Sequence, residues 1–187
     1  MKKNILASSS PRREILLNQI GFDFKIINSN IEEHNNLDFP PEAFTEYWAR
    51  RKSKAVAKSP PNSFVIGADT IVSINGVIYG KPKNKIDSLN MLRNLSGKTH
   101  EVITGVSFML LNKNIDFTFN ERTFVTIAKL DKKTILNYIK DYSPYDKAGS
   151  YGIQDGFSAY IEKINGCFFN VMGLPLSSFL KNYNSIT

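Results

Sequence analysis

The chain has 187 residues, 42% hydrophobic and 22% charged, with 24 Lys and Arg against 17 Asp and Glu for a net charge of +7. This composition excludes collagen-like, disordered and disulfide-scaffold classes, and no apolar run approaches the ~20 residues of a membrane span. The length suits a single domain over 1–187, and the one cysteine, Cys167, cannot close an internal disulfide, so the cytoplasm is the expected compartment.

In chain order, Asn4 to Ala7 reads as a short strand. The basic start, with three apolar residues before Ser8-Ser9-Ser10, does not read as a signal peptide. Ser10 as N-cap, Pro11 at the first helical position and Gly21 as the stop predict a helix between them. Phe22 to Ile27 alternates as a strand. A polar stretch from His34 to Pro41 leads into a helix over Glu42 to Lys58. Phe64 to Ile74 is an apolar, β-branched strand, and Asn75-Gly76 predicts a type I′ turn returning through Val77-Ile78-Tyr79. A helix over Asp87 to Leu95 stops at Ser96-Gly97. Long strands follow over Val102 to Leu111 and Ile115 to Ile127, then a helix over Lys132 to Tyr142. Ser158 to Ile164 reads as a strand and Leu176 to Tyr183 as a final helix. Strands alternate with helices while hairpins intervene, which predicts an α/β fold with a mixed sheet.

Four places carry residues suited to chemistry. The serine loop opens a helix whose first turn holds Arg12 and Arg13. A helix N-terminus favours anions, so two arginines there break a local rule. They suit a phosphate, or are solvated residues of an ordinary capped helix. Lys52 falls among Phe44, Trp48, Ala55 and Val56 on the apolar face of its helix, so it snorkels or meets an anion. Arg50, Lys54 and Lys58 form a separate row. Asp69 lies inside Val65 to Val72, where a carboxylate is costly unless paired or bound to metal. The hairpin register sets Thr70 opposite Lys81 and brings that lysine back beside Asp69, with Gly80 free to bulge. The loop Asp146 to Gln154 suits a ligand rim or a plain turn. His34, His100 and Cys167 share no metal-ligand spacing. His100 suits a structural hydrogen bond, and Cys167 a buried apolar position.

Taken together, these residues resemble a known family. Leu6-Ala7-Ser8-Ser9-Ser10-Pro11-Arg12-Arg13 is similar to the opening motif of the Maf family of nucleoside triphosphate pyrophosphatases. Ile31-Glu32-Glu33, Lys52, Gly67-Ala68-Asp69-Thr70 and Gly80-Lys81-Pro82 match later elements in order. So do Ser96-Gly97, His100, Thr104-Gly105-Val106, Asp146 to Gln154, and Gly173-Leu174-Pro175-Leu176. The segment Asp155 to Tyr160, Cys167-Phe168-Phe169 and Trp48 depart from the family pattern.

The resemblance implies a mixed twisted sheet in two lobes with a central cleft, like that of inosine triphosphate pyrophosphatases, and a homodimer. It implies cleavage of a nucleoside triphosphate between its α- and β-phosphates with Mg²⁺ or Mn²⁺, and no membrane partner. Arg13, Lys81 and Gln154 look like the branch acting on dTTP and UTP. Arg12, Arg13, Lys52 and Lys81 would bind phosphates and stabilise the leaving group, and Ser8 would hydrogen-bond a phosphate. Glu33 and Asp69 would hold the metal, Asp69 would instead or also orient the attacking water as general base, and Gln154 would lie near the base or the phosphates. The competing reading, from the +7 charge and the family's link to septum formation, is a nucleic-acid-binding regulator of cell division.

Overall fold

The computed structural model describes residues 3–33, 38–58 and 62–186. His34 and part of the polar stretch around it lie outside these. Among the described residues, seven strands form one sheet: β1 (Lys3–Ala7), β2 (Lys25–Ile26), β3 (Ser63–Ile74), β4 (Val77–Tyr79), β5 (Thr99–Leu110), β6 (Ile115–Ile127) and β7 (Ile161–Asn165). Their order is β2-β1-β3-β5-β6-β7, with β4 also on β3. The sheet is mixed, as the alternation of crossovers and hairpins predicts: β1 runs parallel to β2 and β3, and the remaining pairs are antiparallel.

Among the described residues, six α-helices cover it: α1 (Pro11–Gln19), α2 (Pro41–Ala57), α3 (Lys85–Leu95), α4 (Lys132–Tyr142), α5 (Phe168–Met172) and α6 (Leu176–Ile186). Helix α2 occupies one face. Its buried residues Phe44, Trp48, Val56 and Ala57 pack on Val65, Ile71 and Ile103. On the opposite face two separate cores form. Leu16 and Leu17 of α1 and Phe179 of α6 meet Phe64, Ile66 and Phe108 in one. Leu92 and Leu95 of α3 and Ile135 and Ile139 of α4 meet Val72, Val102 and Val125 in the other. The two lobes therefore share a sheet, and the gap between their cores becomes the cleft.

Strands β3 and β5 are buried on both faces, which is why they read in the sequence as near-continuous apolar, β-branched runs. The Asn75-Gly76 turn has both residues at positive φ (52° and 77°), the type I′ geometry. Some expectations fail for physical reasons. The predicted strand over Phe22 to Ile27 shrinks to Lys25–Ile26, because Phe22 turns into the α6 core and meets the Phe179 and Tyr183 rings edge-on. The strand expected from Ser158 begins at Ile161, since Asp155 caps a 3₁₀ turn over Gly156–Tyr160. Ala55 is exposed rather than on the apolar face of α2, and Cys167 is half-buried ahead of α5 rather than in a core. Ser10 stands at the N-cap of α1, but its side chain makes no capping bond.

Candidate active site

The sheet has a break at its centre. Strand β1 accompanies β3 only as far as the Ala7–Gly67 pair, and β4 joins the same edge at the Val72–Tyr79 pair. Between them, Ala68 to Ile71 have no strand on that side among the described residues. A cleft of about 510 Å³ opens there, lined from both faces of the sheet. All the site residues anticipated from sequence reach it: Ser8, Arg12, Arg13, Glu33, Lys52, Asp69, Lys81 and Gln154. Such a break, where chain connections diverge, is where open α/β sheets bind ligands.

On the α2 side, Lys52 does not snorkel. It is 7% exposed, and its Nζ donates to Asp69 Oδ1 at 2.7 Å and to the Ala68 carbonyl at 3.4 Å. It also pairs with Glu33 Oε1 at 3.0 Å. An ammonium has three donors, so its capacity is filled. Lys52 is thus the counter-ion of Asp69, the position that hairpin adjacency gave to Lys81. The strand register is as expected, but the ladder stops at Tyr79 and the Gly80 carbonyl accepts from Gly149 N at 3.0 Å. Lys81 is exposed on the cleft wall, with no ion pair to Asp69.

On the other face, Arg13 is buried at 8% exposure. Its Nε donates to the Gly173 carbonyl at 2.9 Å, Nη1 to Ser8 Oγ at 3.0 Å and Nη2 to Thr70 Oγ1 at 3.0 Å. Burial pulls its pKa below the ordinary value, and the charges of Asp69 and Glu33 act against that fall. Two of its five N–H groups remain for a ligand. Ser8 Oγ accepts from Arg13 and also from Ser10 N at 3.2 Å, so its own proton is left for an acceptor in the cleft. A phosphate oxygen meets both needs.

Arg12 is held across the cleft mouth, with Nη1 on Asp146 Oδ2 at 2.5 Å and Nη2 on the Asp146 carbonyl at 3.1 Å. Lys147 donates to the other oxygen of Asp146 at 2.7 Å. Burial pushes the Asp146 carboxyl up, but hydrogen bonds from Lys147 and Arg12, with their charges, outweigh it and hold it at about 2. Gln154 is exposed on the rim beside this loop.

Among the described residues no group of three His, Cys, Asp or Glu side chains forms a metal cage. The donor chemistry nevertheless fits a hard cation. Asp69 and Glu33 already converge on one ammonium, and Mg²⁺ is commonly held by one or two carboxylates with phosphates and water completing its shell.

The profile of the family described as Maf-like protein matches residues 3–185. The chain belongs to the Maf family. A dTTP/UTP pyrophosphatase of Caldicellulosiruptor saccharolyticus is 44% identical over 94% of this chain and 90% of its own. The dTTP/UTP pyrophosphatase of Fusobacterium nucleatum subsp. nucleatum is 43% identical over 97% and 94%. That of Bacillus anthracis is 44% identical over 98% and 97%. Among solved structures, the Staphylococcus aureus Ham1 protein aligns with a TM-score of 0.49 and 20% identity over 68% of this chain and 72% of that one, too distant to add to the assignment.

Residues of the opening motif, Glu33, Lys52, Asp69, Lys81 and the Asp146 to Gln154 loop thus line one cleft, but three partners in it carry no role assigned from sequence. Asp146 and Lys147 fix Arg12, and Thr70 fixes Arg13. Thr70 borders Asp69 in the same motif, and its hydroxyl in an apolar strand is the one signal that marks it. His100 makes the expected structural bond, its Nε2 lying 2.7 Å from the Tyr151 hydroxyl.

Proposed function

We propose that this chain hydrolyses dTTP and UTP between the α- and β-phosphates, releasing the nucleoside monophosphate and pyrophosphate. The observation that carries the reading is the convergence of Arg12, Arg13, Lys52, Ser8 and the α1 N-terminus on the cleft that holds Asp69. The names of the full-length relatives, dTTP/UTP pyrophosphatase, support it. Water attacks the α-phosphorus, the bridging oxygen leaves with pyrophosphate, and the water's proton passes to Asp69. Arg13 and Ser8 donate to phosphate oxygens and hold charge that develops on the leaving group. Lys52 pairs with the Asp69 carboxylate and orients it. Arg12 and Lys81 bind the outer phosphates from the rim.

Mg²⁺ or Mn²⁺, held by Glu33 and Asp69, would neutralise triphosphate charge. The nucleic-acid-binding alternative has less support, because Arg12, Arg13 and Lys52 turn into the cleft rather than outward.

Pyrophosphate release from a panel of nucleoside triphosphates with Mg²⁺ or Mn²⁺ tests the reading. dTTP and UTP should turn over well above 7-methyl-GTP. An amide at Gln154 both donates and accepts, as the edge of uracil or thymine requires, whereas a carboxylate suits the donor-rich edge of 7-methylguanine. Gln154→Glu should therefore lower dTTP turnover roughly tenfold to a hundredfold, and that of 7-methyl-GTP less, since a mismatched polar pair costs about 1–3 kcal/mol. Fastest cleavage of 7-methyl-GTP by the unaltered protein would refute the substrate assignment.

A further inference from the structure

Between the two apolar cores runs a buried polar seam that belongs to neither. Thr70 and Thr104 face each other as cross-strand partners on β3 and β5, with Oγ1 atoms 3.0 Å apart. Thr104 is fully buried and has no part in lining the cleft. Its hydroxyl donates to the Asn170 carbonyl at 3.1 Å. A hydroxyl has one proton, so Thr104 cannot also donate to Thr70. Thr70 must then donate to Thr104, which leaves its lone pair for Arg13 Nη2 at 3.0 Å. The direction of every bond is fixed: Arg13 to Thr70, Thr70 to Thr104, Thr104 to the carbonyl of Asn170.

The chain closes on itself. Asn170 lies in α5, and the turn that ends this helix bonds Gly173 N to the same Asn170 carbonyl at 3.0 Å. Gly173 in turn accepts from Arg13 Nε at 2.9 Å. Gly173 has φ of 118°, a conformation a side chain would strain. The α5 segment is itself clamped to the sheet, because Asn170 Nδ2 donates to the Val102 carbonyl and to Thr123 Oγ1, both at 3.0 Å. One edge of the guanidinium is thus held by the same helix end twice, once directly and once through two hydroxyls.

We propose that Thr104 is a positioning residue that orients Arg13 through Thr70, so that the two uncommitted N–H groups of the arginine face the triphosphate. This rests on the pyrophosphatase reading. Without the Thr104 hydroxyl, Thr70 loses the acceptor that fixes its proton and becomes free to donate elsewhere. The hydroxyl then no longer offers Arg13 a fixed lone pair.

The test is a double-mutant cycle on kcat/KM for dTTP, with binding of a non-hydrolysable α,β-methylene analogue as a second readout. Thr104→Val keeps the shape and removes the hydroxyl, and should lower kcat/KM by about tenfold. Thr104→Ser restores the hydroxyl and should stay within about twofold of the unaltered protein. In an Arg13→Met background, Thr104→Val should shift kcat/KM by less than about twofold, because the group it positions is gone. Thermal stability should fall equally with Thr104→Val in both backgrounds, so a purely structural role predicts equal losses of activity. Equal losses, no loss at all, or failure of Thr104→Ser to rescue would each overturn the proposal. Absence of dTTP hydrolysis by the unaltered protein would instead defeat the underlying reading. Weakened binding of inorganic pyrophosphate by Thr104→Val, seen only when Arg13 is present, would then still decide the relay.

Discussion

Lys52 is the residue on which two carboxylates depend. Asp69 is 5% exposed and bonds the ammonium at 2.7 Å, while the half-open Glu33 side chain pairs with it at 3.0 Å. Removing one partner of a buried pair is costly because the other charge stays buried, by about 3–5 kcal/mol in well-studied cases. The two single removals are not equivalent here. Asp69→Asn leaves Lys52 paired with Glu33, whereas Lys52→Met removes the ammonium that both acids contact. Asp69→Asn should therefore cost kcat about 10²–10⁴-fold, the usual worth of a general base, with a smaller loss of Tm than Lys52→Met. Mg²⁺ or Mn²⁺ should raise the Tm of Lys52→Met more than that of the unaltered protein, since the metal replaces the missing charge. Thermal melts with and without metal decide this, and a Tm of Lys52→Met indifferent to both ions would count against Glu33 and Asp69 as metal ligands. The identity of the acidic and basic residues was legible in sequence, because an ionised side chain inside an apolar pattern requires a partner. Which partner was not. Hairpin adjacency suggested Lys81 for Asp69, and the actual ion pair crosses from helix to sheet, a contact that no periodicity encodes.

At the scale of elements, the reach of Lys52 depends on how closely α2 lies on the sheet, and two glycines set that distance. A methyl group at Gly67 would collide with the Ala49 carbonyl and come 2.8 Å from Ser53 N. One at Gly105 would fall within 2.6 Å of backbone atoms of Thr45 and Glu46. Either Gly→Ala change forces the helix outward, and such overpacking costs about 1–3 kcal/mol. Gly67→Ala acts at the turn that carries Lys52, and Gly105→Ala two turns away. Both should lower the urea midpoint by similar amounts, while Gly67→Ala should reduce kcat the more, measured well below the melting range. Equal kcat for the two variants would mean that the height of the helix does not tune the site. The long elements were legible: α4 spans Lys132–Tyr142 as its apolar spacing predicts, and the Asn75-Gly76 turn sets the register of its hairpin. The short ones were not. Five residues are too few to show a helical period, so α5 escaped, although its C-terminal turn holds Arg13. The aromatic alternation of Phe22 and Phe24 imitates a strand but fills the core beside α1 and α6.

At the scale of the molecule, acid stability should report on the floor of the second lobe. His100 is 1% exposed and packed beneath the cleft loop, its Nε2 bonded to the hydroxyl of Tyr151, which lines the cleft. Burial lowers its pKa from 6.5 to about 4. The folded state therefore refuses a proton that the unfolded chain accepts below pH 6.5. Stability from this group is intact above pH 6.5 and is lost as the pH falls toward 4, because in that window the unfolded state binds more protons. Between pH 7 and pH 5 the loss amounts to about 2 kcal/mol, from the spacing of the two pKa values. Asp146, held at about 2, does not contribute in this window, since its linked stability fades only as the pH falls below the ordinary carboxylate range. His100→Gln retains a polar group to meet the Tyr151 hydroxyl and does not titrate. Urea unfolding at pH 7 and pH 5 should show the unaltered protein losing about 2 kcal/mol more than His100→Gln across that interval. An identical loss in both proteins would place the acid sensitivity elsewhere and leave His100 as packing alone.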